Sequence, residues 1–159
     1  GFYLTEDSDF AHRWAKERIG METIVNTYAL NTTGLRIQRF DRNREWFDYI
    51  FANRSGKPDT IDADVIMGPI SNDTIYDTFG IITSGYLKPE DALKLLLIGP
   101  EYRQTALKTE KAAAQLNWLS AEILEKEQLK LYRETVSKEE AAYQLEFAGL
   151  LEQITNQQS

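Results

Sequence analysis

The sequence predicts an α+β fold. Three observations carry that prediction. Short runs rich in β-branched and aromatic residues recur along the chain, helical patterns separate them too irregularly for a Rossmann alternation, and the second half is mainly helical. The chain has 159 residues, 42% of them hydrophobic and 27% charged, enough to bury one sizeable core.

Taken in order, "GFYL" favours a strand. Asp7 to Ile19 places Phe10, Trp14 and Arg18 four apart, with Asp7 or Ser8 as N-cap, and predicts a helix ending near Gly20. "ETIVNTYALN" predicts a strand over Glu22 to Leu30. After the turn at "TG", "LRIQRF" puts Leu35, Ile37 and Arg39 on one face and Arg36, Gln38 and Phe40 on the other. The two runs read as a strand pair or as two strands of one sheet. "NREWFDYIFANR" sets Trp46, Phe47, Ile50 and Phe51 on one helical stripe, and "DVIMGPI" has the apolar composition of a buried strand.

Further on, Asp73 to Ser84 has helical spacing and stops at Gly85. "KPEDALKLLL" predicts a helix with Pro89 as its first residue. "YRQTALKT" alternates as a strand does, "EKAAAQL" reads as a short helix and "NWLSAEIL" as a last strand. "EKEQLKLYRE" is a charged helical stretch. Ser137 and Glu140 stand in capping-box spacing, so a tail helix is expected to start there and to bury Ala141, Leu145, Ala148 and Leu151.

Composition excludes several chemistries. There is no cysteine, hence no disulfide, thiolate nucleophile or cysteine-based metal site, and one histidine cannot make a histidine-rich one. The formal charge of −7 opposes non-specific nucleic-acid binding unless the patch Arg36, Arg39, Arg42 and Arg44 defeats it. No apolar run approaches a membrane span, and the N-terminus lacks a signal-peptide pattern, so no membrane partner and a cytoplasmic setting are expected. A phosphate loop, a G-x-S-x-G elbow and H-E-x-x-H are all missing. Asp62, Asp64 and Asp73 are not spaced as an EF-hand, and no metal is expected. His12 reads as a surface or helix-packing residue, and Trp14, Trp46 and Trp118 as core.

Three blocks in order, "GFYLTEDSDFAHRWA", "VIMGPISNDTIYDTF" with "SGYLKPEDAL", and "YRQTALKTEKAAAQL", resemble the bacterial family DUF3990 over residues 1 to about 119. That family is grouped with the ADP-ribosyltransferase-like superfamily. The resemblance implies two small split sheets around a cleft for NAD, with residues 1–123 as this domain and 124–159 as a helical appendage. It also implies an N-terminally incomplete domain, because the first motif, resembling Y-H-G, should precede the opening strand.

Carried over, Tyr3 would stack on nicotinamide, Thr5 would face the cleft at the end of the same strand, and Gln104, as the catalytic residue, would match the glutamine before the family's third strand. Cleaving the nicotinamide bond builds an oxocarbenium-like centre, which a glutamine can position but cannot neutralise. Without the resemblance, Tyr3 is an ordinary strand aromatic and Gln104 a surface strand residue. The resemblance implies an NAD-dependent ADP-ribosyltransferase, toxin-type or regulatory, with a macromolecular acceptor, lacking part of its site in this chain. The alternative is a non-catalytic interaction module that docks a protein partner through the C-terminal helix or the aromatics around Trp46 and Phe51.

Overall fold

A computed structural model describes residues 1–70, 85 and 87–157. The predicted helix from Asp73 to Ser84 lies outside them, as does the aspartate at 73. The described elements are β1 (Phe2–Leu4), α1 (Ser8–Arg13), β2 (Ile24–Leu30), β3 (Ile37–Arg39), α2 (Arg44–Arg54), β4 (Val65–Pro69), α3 (Pro89–Leu96), β5 (Arg103–Leu107), α4 (Glu110–Ala114), β6 (Leu116–Ile123) and α5 (Lys126–Gln157). The α+β class is observed. A four-stranded sheet has the order β1-β5-β4-β3, in which β3 and β4 run parallel and the other pairs antiparallel; β2 and β6 form a separate antiparallel ribbon.

The expected pairing of the second and third strands is therefore wrong. Gly34, at φ 72°, turns the chain where "TG" predicts, but β2 leaves to pair with β6. The reason lies in β4. Val65 and Ile66 point to opposite faces and both are buried, so β4 is a central strand between β3 and β5 whose faces need cover, and the β2–β6 ribbon packs as cover on the Val65 face. Extra Leu119 makes a bulge in β6, where Thr27 faces Ser120 but Tyr28 faces Trp118.

Three packed clusters follow. On one sheet face, Ile66 and Phe40 meet Trp46 and Phe47 of α2 and Ala92 and Leu96 of α3. On the other, Val65 and Leu107 pack with Ala112, Leu30 and Leu116, which seats the end of the ribbon. The third joins Leu95 and Ile98 to Tyr143, Phe147 and Ile154 of α5. Thus α3 serves two clusters, through Ala92 and Leu96 in one and Leu95 in the other. Its C-terminus is held by Arg42, which donates to the carbonyls of Gly99 (2.9 Å), Leu96 (3.0 Å) and Ile98 (2.7 Å). Burial lowers the Arg42 pKa from its ordinary value.

Two helix predictions need correction. The first helix ends after Arg13 and does not reach Ile19, because residues from Lys16 to Ile19 are exposed and an unsupported extra turn is not favoured. The tail is one helix through Ser137, since no glycine or proline interrupts it before Gly149 and Ser-x-x-Glu spacing also suits a helix interior. Its buried stripe is Tyr143, Phe147 and Ile154, and Leu145 is 79% exposed. Ala141 and Ala148 are exposed too, and of the four expected residues only Leu151 packs against the buried cluster. Among the tryptophans only Trp46 is core; Trp14 and Trp118 are 39% and 58% exposed. No helix among the described residues is long and apolar enough to cross a membrane.

Helix α1 docks onto α5 and β6. Arg13 pairs with Glu139 and donates to the Tyr102 hydroxyl at 2.7 Å, while Phe10 stacks on Tyr102 at 4.6 Å. His12 Nε2 lies 2.7 Å from Glu122, and its Nδ1 lies 2.6 Å from the Ser8 carbonyl. With an acceptor at each nitrogen the imidazolium form is favoured. The Glu122 hydrogen bond, the Ser8 carbonyl and the field of Asp9 accordingly raise the His12 pKa against the effect of burial.

Truncating Phe147→Ala should cost about 3–5 kcal/mol in chemical denaturation, whereas Leu145→Ala should stay within about 0.5 kcal/mol. Because the folded pKa of His12 lies above its unfolded value, its contribution is complete below about pH 6.5 and is lost as pH rises through the folded value. Thermal midpoints measured from pH 5 to pH 9 (roughly the span of histidine titration) should therefore decline less in His12→Ala than in the parent chain.

Candidate functional site

The face of the four-stranded sheet that carries Tyr3, Ala106, Ile66, Gly68 and Gln104 is covered only in part by α2. What remains open is a cleft of about 480 Å3 between that face and α2, bordered by Tyr3, Phe40, Trp46, Tyr49, Gln104 and Lys108, among others. This size suits a small organic group. Side-chain alternation explains the sheet wall: Gln104, Ala106 and Lys108 are two apart on one strand and its extension.

Helix α2 supplies the aromatic wall. Asn43 caps it, accepting from the Trp46 N–H at 3.2 Å, and Trp46 donates its indole N–H to the Pro69 carbonyl at 3.1 Å. Tyr49 stacks on Phe40 at 4.9 Å, with the ring planes 20° apart. Gly68 makes the close approach possible, since a Cβ there would lie 3.3 Å from Phe40 Cβ and 3.7 Å from Trp46 Cδ1.

One end of the cleft is charged. Asp59 accepts from the Tyr49 hydroxyl at 3.0 Å and the Ile61 N–H at 3.0 Å, and pairs with Lys108 at 2.7 Å. Burial alone would raise the Asp59 pKa. The Lys108 ammonium, the Ile61 N–H and the Tyr49 hydroxyl outweigh it and hold the carboxyl below its ordinary value. Burial pushes the Tyr49 phenol up to about 12, with the Asp59 hydrogen bond adding to the shift and Asn53 opposing it. Desolvation lowers Arg54 nearby, yet a guanidinium stays charged.

Of the three residues the sequence singled out, Tyr3 and Gln104 line this one cleft. Thr5 is not among its lining residues: its hydroxyl donates to the Arg103 carbonyl at 2.8 Å and accepts from the Asp7 N–H at 3.1 Å, fastening the turn before α1. The Gln104 side-chain amide makes no hydrogen bond to a described residue. Tyr49, Asp59 and Lys108 escaped the sequence reading. Continuing the period of two from Gln104 would have reached Lys108; nothing local marks Asp59, which sits in a loop.

The arginine patch is dispersed. Arg36 serves Asp62 and Asp64, Arg42 serves carbonyls, and Arg44 pairs with Asp48 at 2.9 Å and Glu90 at 3.7 Å. Asp64 is a structural residue. It accepts from the Arg36 N–H at 2.8 Å and from Thr109 at 3.0 Å, and the Arg36 amide first, then its guanidinium, hold the carboxyl well below the ordinary range. No metal-ligating cluster is present among the described residues. Trp46 is buried within the first cluster and Phe51, partly buried, packs against it.

If the Tyr49–Asp59 end of the cleft is as desolvated as its packing implies, Tyr49 should keep its proton at about pH 11, where an ordinary phenol is ionised. Titration of ring-carbon NMR signals, assigned with Tyr49→Phe, checks this; an ordinary midpoint would show that water solvates the wall.

No curated protein matches the chain, and no solved structure does. The profile of a family described as "Protein of unknown function (DUF3990)" matches residues 1–118. With most of its length inside that match, and with both Tyr3 and Gln104 inside it, the chain belongs to the DUF3990 family.

Proposed function

We propose that this chain is an NAD-binding domain of the ADP-ribosyltransferase-like kind, with the nicotinamide end of NAD received in the cleft between α2 and the four-stranded sheet. The observation that carries the reading is the convergence of Tyr3 and Gln104, from β1 and β5, on one cleft of suitable volume. The separate four-stranded and two-stranded sheets are in keeping with it.

In this reading Tyr3 offers its ring to the flat pyridinium, a contact worth about 0.5–1.5 kcal/mol beyond buried area. Gln104 offers one donor and one acceptor to the carboxamide or a ribose hydroxyl. Charge developing at the ribose would need a carboxylate, and the cleft's own, Asp59, is already paired with Lys108. The residues present therefore favour binding and orientation over rapid transfer. The acceptor in such a transfer would be a macromolecule.

Calorimetric titration of NAD tests the proposal. Saturable binding is expected, weakened roughly tenfold (about 1.4 kcal/mol) by Tyr3→Ala and by Gln104→Ala. Both side chains lie at the surface of the cleft, so the variants should fold. Absence of binding, or binding that neither substitution changes, overturns the reading and leaves the interaction module, whose best remaining surface is the exposed Leu131 and Leu145 side of α5.

A further inference from the structure

The two-stranded ribbon leaves one strand edge open. Successive residues of an antiparallel strand aim their peptide groups alternately toward the neighbouring strand and away from it. Leu124 donates its N–H to the Thr23 carbonyl at 2.9 Å, and Asn31 donates to the Gln115 carbonyl at 3.0 Å, so the odd-numbered residues of β2 are the ones bonded to β6 on both sides of the bulge. The N–H and C=O groups of Ile24, Asn26, Tyr28 and Leu30 therefore point to the outer edge, where they make no hydrogen bond to another described residue.

The other edges are blunted. β1 and β3, at the margins of the four-stranded sheet, have 3 residues each. β6 carries the Leu119 bulge and the charge of Glu122. Short length, bulges and charge are the devices that keep a strand edge from pairing with another chain. β2 has none of them: its 7 residues, "IVNTYAL", include no charge, proline or glycine, in a chain with 27% charged residues. A two-stranded ribbon is also marginal until further strands or packing support it.

We infer that the outer edge of β2 pairs antiparallel with β2 of a second copy of this chain, joining two ribbons into one continuous sheet about a two-fold axis. The strand itself sets the register. With Thr27 facing Thr27 of the partner subunit across the axis, Ile24 meets the partner's Leu30 and Asn26 meets the partner's Tyr28, and the symmetry repeats both pairs. Every outward peptide group is then bonded and none is left over, which is what selects a second copy over an unrelated strand. Val25 faces the partner's Ala29, and Glu22 faces the partner's Thr32, so no like charges are opposed. Two copies that each carry a charge of −7 repel, and this uncharged stretch lets them approach. The inference concerns the ribbon and does not rest on the NAD proposal.

Sedimentation equilibrium of the full chain over roughly 5–500 μM, a span suited to a small interface, should show a reversible monomer–dimer equilibrium that tightens as salt screens the repulsion. Thr27 is exposed, so Thr27→Lys should keep the thermal midpoint of the parent monomer while setting two ammonium groups face to face. It should weaken dimerisation by about tenfold or more, as should Thr27→Glu, and an equimolar mixture of the two variants should recover a mixed dimer. In hydrogen exchange, the amides of Ile24, Asn26, Tyr28 and Leu30 should gain protection as concentration rises, while those of Val25, Thr27 and Ala29, already bonded to β6, should not change. A monomer throughout, a dimer indifferent to both substitutions, a mixture that does not associate, protection without the alternation, or a dimer lost in Leu145→Lys on the exposed side of α5 overturns the inference.

Discussion

Everything in this fold answers to one strand. β4 is apolar on both faces, with Val65 on one side and Ile66 on the other, and neither can be left to water. Burying a Val or Ile side chain stabilises by about 1.5–3 kcal/mol, and the same amount is forfeited wherever cover is lacking. Helices α2 and α3 cover one face; the ribbon end and α4 cover the other. Among the described residues neither cover reaches every strand, and the cleft beside α2 lies where cover is missing. The cleft is thus a remainder of incomplete packing, furnished by the side chains the pleat directs there.

Much of this was legible in the sequence because it is local. The stripe of Trp46, Phe47, Ile50 and Phe51, the buried composition of "DVIMGPI" and Pro89 at the start of α3 each follow from spacing or dihedral preference within a dozen residues. Strand partnership is not local. β2 and β3 are neighbours in the chain and belong to different sheets, a choice made by what β4 required and not by anything in "ALNTTGLRI". The tail helix was only partly read for a related reason: Ala141, Leu145, Ala148 and Leu151 make a valid stripe, and so do Tyr143, Phe147 and Ile154, and the position of α3 selects the second stripe together with Leu151.

The cleft divides in the same manner. Tyr3 and Gln104 came from a resemblance, and their meeting depends on β1 lying beside β5, which no segment announces. Asp59 reaches the site from a loop, and its role depends on Tyr49 and Lys108 arriving from two other elements. Charge reading fared worst. Four arginines within nine positions look like a basic surface, yet three are engaged by acceptors elsewhere in the fold.

Arg42 is the most instructive of the absorbed three. The carbonyls of Leu96, Ile98 and Gly99 sit at different heights around the end of α3, and one planar fork reaches all of them. A lysine would present a single point to three targets and leave peptide oxygens dry and unbonded. The loop before α2 therefore fastens the far end of α3, so that one side chain belonging to neither cluster fixes the helix that both clusters share.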